Sequence, residues 1–195
     1  MKSVAVFFAD GFEEVEALTP VDYLRRAGVE LYTVAIPSDT MNDKYIVTGS
    51  HKVPMIMDLT FEEYLDACKD GLPDLLFCPG GSRGADNLAA CKELLDHLEE
   101  AWDKGKFVSA ICASPAVVLG KTKILAGKKW TCYPDMESNA KNEYLNGYSD
   151  KVFVTDGNLI TARGAGAAEE FAMELVKLLA GQESADKIHK GTLQR

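Results

Sequence analysis

The 195-residue sequence has no apolar run approaching the roughly 18 residues that a membrane-crossing helix needs. It also has no basic excess: 21 Lys and Arg stand against 30 Asp and Glu, a formal net charge of −9. A polyanion is repelled on average by such a chain, so neither nucleic acid nor an anionic membrane is an expected partner. There is no C-x-x-C pair, and the five cysteines are an odd number. That set makes a poor disulfide framework and a poor zinc site, so the expectation is reduced thiols in the cytoplasm and no metal. The apolar start VAVFFA is too short for a signal-peptide core, with only Lys2 as a charge ahead of it. No internal repeat, low-complexity tract or Pro/Gly/Ser linker divides residues 1–195, which read as one domain.

What is present is ordinary for a soluble globular protein, with 47% apolar and 26% charged residues. SVAVFF (3–8), VELYTVAI (29–36), DLLFC (74–78) and FVSAI (107–111) read as buried strands. EEVEALTPVDYLRRAG reads as a helix stopped by Gly28, and residues 91–104 and SPAVVLGK (114–121) as two more. Residues 40–57 read as a loop with short extended pieces and turn signals at Asn42-Asp43 and Gly49-Ser50. Residues 129–161 read as a region of short strands, among them KVFVT and NLITA, which are joined by the Asp156-Gly157 turn. The last long helix puts Ala168, Phe171, Ala172, Leu175, Val176 and Leu179 on one stripe. Strands that are apolar on both faces belong in a parallel sheet covered by helices on both sides. The expected class is α/β, three-layered, with a mostly parallel sheet. Sites in such sheets lie at the carboxyl ends of strands, which directs attention to the loops ADGFEE, PGGSRG and CASP.

Cys112 stands where FVSAI meets the Ser-Pro start of a helix. With Ser114 as cap and Pro115 at the first helical position, the thiol lies just ahead of unpaired N–H groups. That setting favours thiolate and predicts a pKa lowered from about 8.5 towards about 4–7, the alternative being an inert core cysteine. Glu16 is the second candidate. Pro20, four residues on, clashes with the Glu16 carbonyl and predicts a disturbed helix there. A carboxyl meeting a thiolate would share its proton and could shuttle it, whereas a solvated acid at a helix N-terminus would do neither. Gly80-Gly81 can expose backbone N–H groups as an oxyanion hole, or make a plain strand-to-helix turn.

Ser82 lies in GGSRG, a literal G-x-S-x-G match, and makes a serine hydrolase the rival chemistry. Its available bases are poorly placed, His97 at the edge of an amphipathic helix and His189 in a polar tail. GKT at 120–122 fails as a P-loop because Pro115 stands where glycine is needed. GAGAAE at 164–169 lacks the third glycine of a dinucleotide turn and reads as a tight turn into the last helix.

Four segments carry a wider likeness: ADGFEEVEALTPVDYLRRAG, LLFCPGGSRGADNL, SAICASPAVVL and ITARGAGAAEEFAMELV. In that order, over nearly the whole chain, they resemble the ThiJ/PfpI superfamily, in the branch of the parkinsonism-associated protein deglycase and its bacterial relatives. The resemblance implies a flavodoxin-like sandwich, a nucleophilic cysteine at a strained turn at Cys112, and a partner glutamate at Glu16. It implies oxyanion donors at the N–H groups of Gly81 and Ala113, and a homodimer with the site near the interface. Two positions depart from the pattern. Ala113 stands where the peptidase-like branch has a histidine after the cysteine, which removes a Cys-His dyad and with it proteolysis. Tyr133 precedes Pro134 where the deglycase branch often has a histidine; with Gly80 it is an expected substrate-binding position.

The activity so implied is a glyoxalase or protein deglycase that uses neither glutathione nor any other cofactor. It would act on small aldehydes, chiefly reactive dicarbonyls, and on glycated adducts. A redox sensor or stress chaperone, with Cys112 oxidised to sulfinate, is the alternative without turnover. An inert interaction module is the third reading.

Overall fold

The computed structural model describes residues 2–38 and 43–194, so the Asn42 half of the expected Asn42-Asp43 turn lies outside the described residues. The chain runs β1 (Ser3–Phe8), α1 (Glu14–Arg26), β2 (Glu30–Ala35), then the short strands β3 (Ile46–Thr48), β4 (Pro54–Ile56) and β5 (Leu59–Thr60). Next come α2 (Phe61–Ala67), β6 (Leu75–Cys78), α3 (Ser82–Ala90), α4 (Lys92–Asp103), β7 (Phe107–Ile111) and α5 (Ser114–Val117). The hairpin of β8 (Phe153–Asp156) and β9 (Leu159–Ala162) precedes α6 (Ala168–Ala180) and α7 (Gln182–Gly191). Among the described residues no helix is long and apolar enough to cross a membrane.

Seven strands form one sheet in the order β5-β2-β1-β6-β7-β9-β8, and only β8 runs antiparallel to its neighbour. Alternation along β1 sorts the core into two halves. Val4, Val6 and Phe8 pack with Ala17 and Leu24 of α1, Phe171 and Leu175 of α6 and Ile188 of α7. Ala5 and Phe7 pack on the other side with Tyr64 of α2, Leu88 of α3, Leu98 of α4 and Ala116 of α5. The α6 stripe read from the sequence is buried throughout. This is the expected three-layer, flavodoxin-like arrangement. The strand order reverses at β1, because the chain first moves outward to β2 and then returns on the other side as β6 and β7. The carboxyl ends of β1, β6 and β7 are therefore neighbours, where open α/β sheets place their ligands.

Three local expectations are corrected. The helix α1 continues through Pro20 without a break, its buried face of Ala17, Val21 and Leu24 being held against the sheet. SPAVVLGK is α-helical only over Ser114–Val117 and then tightens into a 3-10 turn at Leu119–Lys121. The tightening lets Gly120 pass so close to Ala140 that a Cβ would meet its Cα at 2.7 Å. Between α5 and β8 there is no regular strand. Trp130 fixes that segment instead, its indole N–H donating to the Tyr144 carbonyl (2.9 Å) while the Tyr144 hydroxyl donates to the Thr122 carbonyl (2.9 Å).

Candidate active site

The three loops at the carboxyl ends of β1, β6 and β7 are sewn together through their backbones. Glu13 N–H donates to the Gly80 carbonyl and Gly84 N–H to the Gly11 carbonyl, each at 3.1 Å. The Ser114 hydroxyl donates to the Pro79 carbonyl. Ser114 is thus the first residue of α5 and a tie between loops. The cap position belongs to Ala113, which offers no side-chain bond. Cys112 is pinned on both sides, its N–H donating to the Ala162 carbonyl (2.9 Å) and its carbonyl accepting from Tyr133 N–H (2.7 Å). Its φ of +64° lies in the left-handed region, which costs a non-glycine residue about 1–3 kcal/mol. Such strain persists only where the surroundings over-determine it, and here the bonds to β9 and Tyr133 do so.

Glu16, on the first turn of α1, is only 1% exposed and reaches beneath these loops. A Cβ on Gly80 would stand 2.2 Å from Glu16 Oε2 and 2.4 Å from Cys112 Cβ. Glycine at 80 is therefore what lets carboxyl and thiol meet, a packing role where substrate contact was expected. Gly81, at φ +88°, has no room for a Cβ either, which would lie 2.3 Å from the Gly11 carbonyl oxygen. Gly80→Ala is expected to leave the far-UV circular dichroism unchanged, to cost about 1–3 kcal/mol by overpacking, and to remove Cys112 reactivity. Wild-type reactivity in that variant would show that the two side chains do not need this gap.

The Glu16 carboxyl lies within reach of the Cys112 thiol and of the N–H groups of Ala165 and Gly80, yet no well-aligned bond closes onto Oε2, which is buried and unpaired. Burial pushes the Glu16 pKa up from 4.5 to about 7, with the Glu13 charge adding to the rise and the thiol and N–H contacts opposing it. Burial likewise pushes the Cys112 thiol up to about 12, aided by the Glu16 charge and opposed by the N–H groups of Gly81 and Ala113. The lowered thiol pKa expected from the sequence is thus overturned. A four-residue α5 supplies little dipole, and a carboxylate beside the sulfur works against a second negative charge. The two groups titrate as a pair, which sheds one proton near 7 and keeps the other far into the alkaline range.

Neighbouring acids are differently engaged. Glu14 accepts from His51 N–H (2.8 Å), lies 2.9 Å from His51 Nδ1 and accepts from the Ser50 hydroxyl (3.1 Å). Burial alone would raise Glu14, but these bonds outweigh it and hold the group at about 2. Glu14 therefore stays a fixed anion that anchors the 49–51 turn, and Glu16 is the acid whose proton is mobile near neutrality.

Ser82 is an exposed residue at the start of α3, with no hydrogen bond to a histidine among the described residues. His97 is buried elsewhere, its Nε2 2.8 Å from the Tyr64 hydroxyl. His189 lies in α7. The G-x-S-x-G match thus lacks its base. Tyr133 is 51% exposed. With Pro134, Arg163, Gly164 and Ala165 it lines a cleft of about 490 Å³. Ala165, whose N–H faces Glu16, was missed because GAGAAE was read only as a turn. Its signal was the glycine-flanked loop closing β9, the strand beside β7.

A parallel sheet that presents a left-handed cysteine to a buried glutamate, at amide-lined loop ends, defines a cysteine–carboxylate α/β protein. The pattern of the DJ-1/PfpI family matches residues 2–178, and the chain belongs to that family. It is 36% identical over 192 residues to Protein dj-1beta of Drosophila melanogaster, covering 98% of this chain and 97% of that one. It is 34% identical over 190 residues to Protein DJ-1 homolog B of Arabidopsis thaliana, covering 97% of this chain but spanning only 41% of that protein's length. A protein of Pyrococcus abyssi named as a deglycase is 28% identical over 176 residues, covering 90% of this chain and 98% of its own. Among solved structures, oxidized DJ-1 of Toxoplasma gondii superposes with a TM-score of 0.87 at 30% identity, covering 99% of this chain and 98% of that one.

Proposed function

We propose that this protein is a cofactor-independent enzyme for small reactive dicarbonyls, of the glyoxalase or deglycase kind. The observation that carries the reading is the unpaired, buried Oε2 of Glu16 beside the Cys112 thiol. In the form that has shed one proton, Glu16 takes the thiol proton as sulfur attacks the aldehyde carbon of a 2-oxoaldehyde. The Gly81 and Ala113 N–H groups, which face the sulfur, hold the developing oxyanion. The proton passes to that oxygen and gives a hemithioacetal. Glu16 then removes the hydrogen from the same carbon and returns a proton to the adjacent one, leaving a thioester of a 2-hydroxy acid. Water cleaves the thioester and regenerates the thiol. In net terms one dicarbonyl and one water give one hydroxy acid. On a glycated amine in its hemiaminal form, sulfur attacks the hemiaminal carbon, the C–N bond breaks, and the amine leaves with the thiol proton carried by Glu16, giving the same hemithioacetal. The named deglycase among the relatives supports the class. The test is hydroxy acid formation from methylglyoxal in buffer free of glutathione and metal.

Redox sensing at the same thiol is the second reading, and the oxidized state of the Toxoplasma relative favours it. The reading also includes a cytoplasmic setting, in keeping with five free thiols, and a homodimer. Val15, Val53 and Ile56 are exposed apolar side chains, Ile56 at 77%. The turn between β3 and β4 adjoins the start of α1 through the bond from Ser50 N–H to the Phe12 carbonyl (2.8 Å). A second copy covering this face would bury these side chains. Sedimentation should give a dimer that Ile56→Glu weakens at least about tenfold, on the scale of a lost buried apolar contact. A wild-type monomer at micromolar concentration would remove the dimer from the account.

A further inference from the structure

We propose that Cys132 is a resolving cysteine for Cys112, so that a hydroperoxide converts the site to an intramolecular Cys112–Cys132 disulfide. The inference needs only a reactive Cys112 and does not depend on dicarbonyl turnover.

The bond from Tyr133 N–H to the Cys112 carbonyl is 2.7 Å long. The Cys132 Cα is about 2.4 Å from that nitrogen, and the Cys112 Cα about 2.4 Å from that oxygen, by covalent geometry. The two Cα atoms are therefore at most roughly 7.5 Å apart along a straight path. Because a trans-peptide N–H points nearly at right angles to the line from the preceding Cα to N, the path is bent enough to bring them under about 6.8 Å, the outer limit of the range in which disulfides form. Both residues pack in the same apolar cluster. Burial, followed by the Glu137 and Cys112 charges, pushes the Cys132 thiol up to about 12, so that it carries its proton into the exchange.

Cys132 is 1% exposed, so an external oxidant reaches Cys112 first and Cys132 has little reach beyond it. Its thiol donates one hydrogen bond among the described residues, to the carbonyl of the next residue, Tyr133 (3.3 Å), and belongs to no cluster among them that could hold a metal. Cys78 is sealed in β6, while Cys68 and Cys91 lie at the ends of α2 and α3. The chemistry above has no use for Cys132.

The steps balance. The Cys112 thiolate attacks the outer oxygen of a hydroperoxide; an S–O bond forms, the O–O bond breaks, and an alcohol or water leaves after taking a proton. The product is the sulfenic acid. Cys132 sulfur then attacks Cys112 sulfur; the S–S bond forms, the S–O bond breaks, and hydroxide leaves as water with the Cys132 proton. A dithiol reductant restores both thiols by giving two electrons and two protons. The pair thus diverts the sulfenic acid from irreversible sulfinate to a reversible state in which Cys112 cannot attack a carbonyl. The site becomes one that hydroperoxide silences and thiol revives.

The test treats full-length protein with one equivalent of hydrogen peroxide, blocks free thiols, and maps tryptic peptides without reduction. The expected result is a link between peptides 107–121 and 130–141, reversed by dithiothreitol. In both Cys132→Ser and Cys132→Ala the link should vanish and the sulfinate fraction at Cys112 should rise roughly fivefold or more at the same dose. Equal sulfinate in wild type and variants, with no linked peptide, overturns the proposal. So does a link from Cys112 to any other cysteine or to a second chain.

Discussion

Cys112→Ala is expected to lower hydroxy acid formation from methylglyoxal by roughly 10³-fold or more, while Ser82→Ala leaves it within about twofold. The size of the first effect follows from what the residue supplies. Without the sulfur there is no covalent intermediate, and a carboxylate with two amide donors is left to hydrate an aldehyde unaided. The second effect follows from position, since Ser82 is an exposed hydroxyl with no histidine bonded to it among the described residues. A reversal, with Ser82→Ala inactive and Cys112→Ala active, would make this a serine hydrolase and would remove the chemistry proposed here.

Glu16→Gln is expected to lower activity and to raise stability, and the second effect depends on pH. The Glu16 pKa is about 7 in the folded protein against an ordinary 4.5, so the folded state binds this proton more tightly than the unfolded chain does. Below pH 4.5 both states carry the proton and the site costs nothing through it. Between about 4.5 and 7 the unfolded chain ionises first, and stability falls as pH rises. Above about 7 a constant penalty remains, about 3 kcal/mol at roughly 1.4 kcal/mol per pKa unit. Glutamine keeps the shape without the charge, so the variant should gain about 2–3 kcal/mol over wild type at pH 8 relative to pH 4. Urea melts at the two pH values measure this difference. A variant equally destabilised at both would mean that Glu16 is ionised at no cost, which burial with Oε2 left unpaired does not allow. Proteins pay stability for functional sites in this way, and here a single carboxyl carries the cost.

The framework was legible because its signals are local. β1, β6 and β7 are short runs apolar on both faces, and α6 shows its stripe at helical spacing. Gly28 ends α1 with φ +73°, and Gly157 turns the β8–β9 hairpin with φ +63°, as their neighbours in sequence suggested. Cys112 and Gly81 could be singled out because each lies in the short turn from a strand into a helix. The rest lay in contacts between distant segments. That Glu16 meets Cys112 across 96 positions was implied only by the family likeness. The direction of the thiol's shift was misread because the helix start was visible and the burial was not. The close approach of Gly120 to Ala140 and the role of Gly80 beside two side chains from other segments are contacts of this kind. Ala165, in a glycine-flanked loop read as a turn, and Cys132, in no motif, gained meaning only when β9 and the Tyr133 backbone were seen beside Cys112.

The shared proton is tested most directly by the pH dependence of Cys112 alkylation by iodoacetamide, followed by mass spectrometry in wild type and in Glu16→Gln. The account predicts that the wild-type rate climbs with an apparent pKa near 7, and that this step disappears in the variant, whose reactivity rises only in the alkaline range. A single titration near 8.5 in both proteins, the behaviour of an isolated thiol, would contradict it.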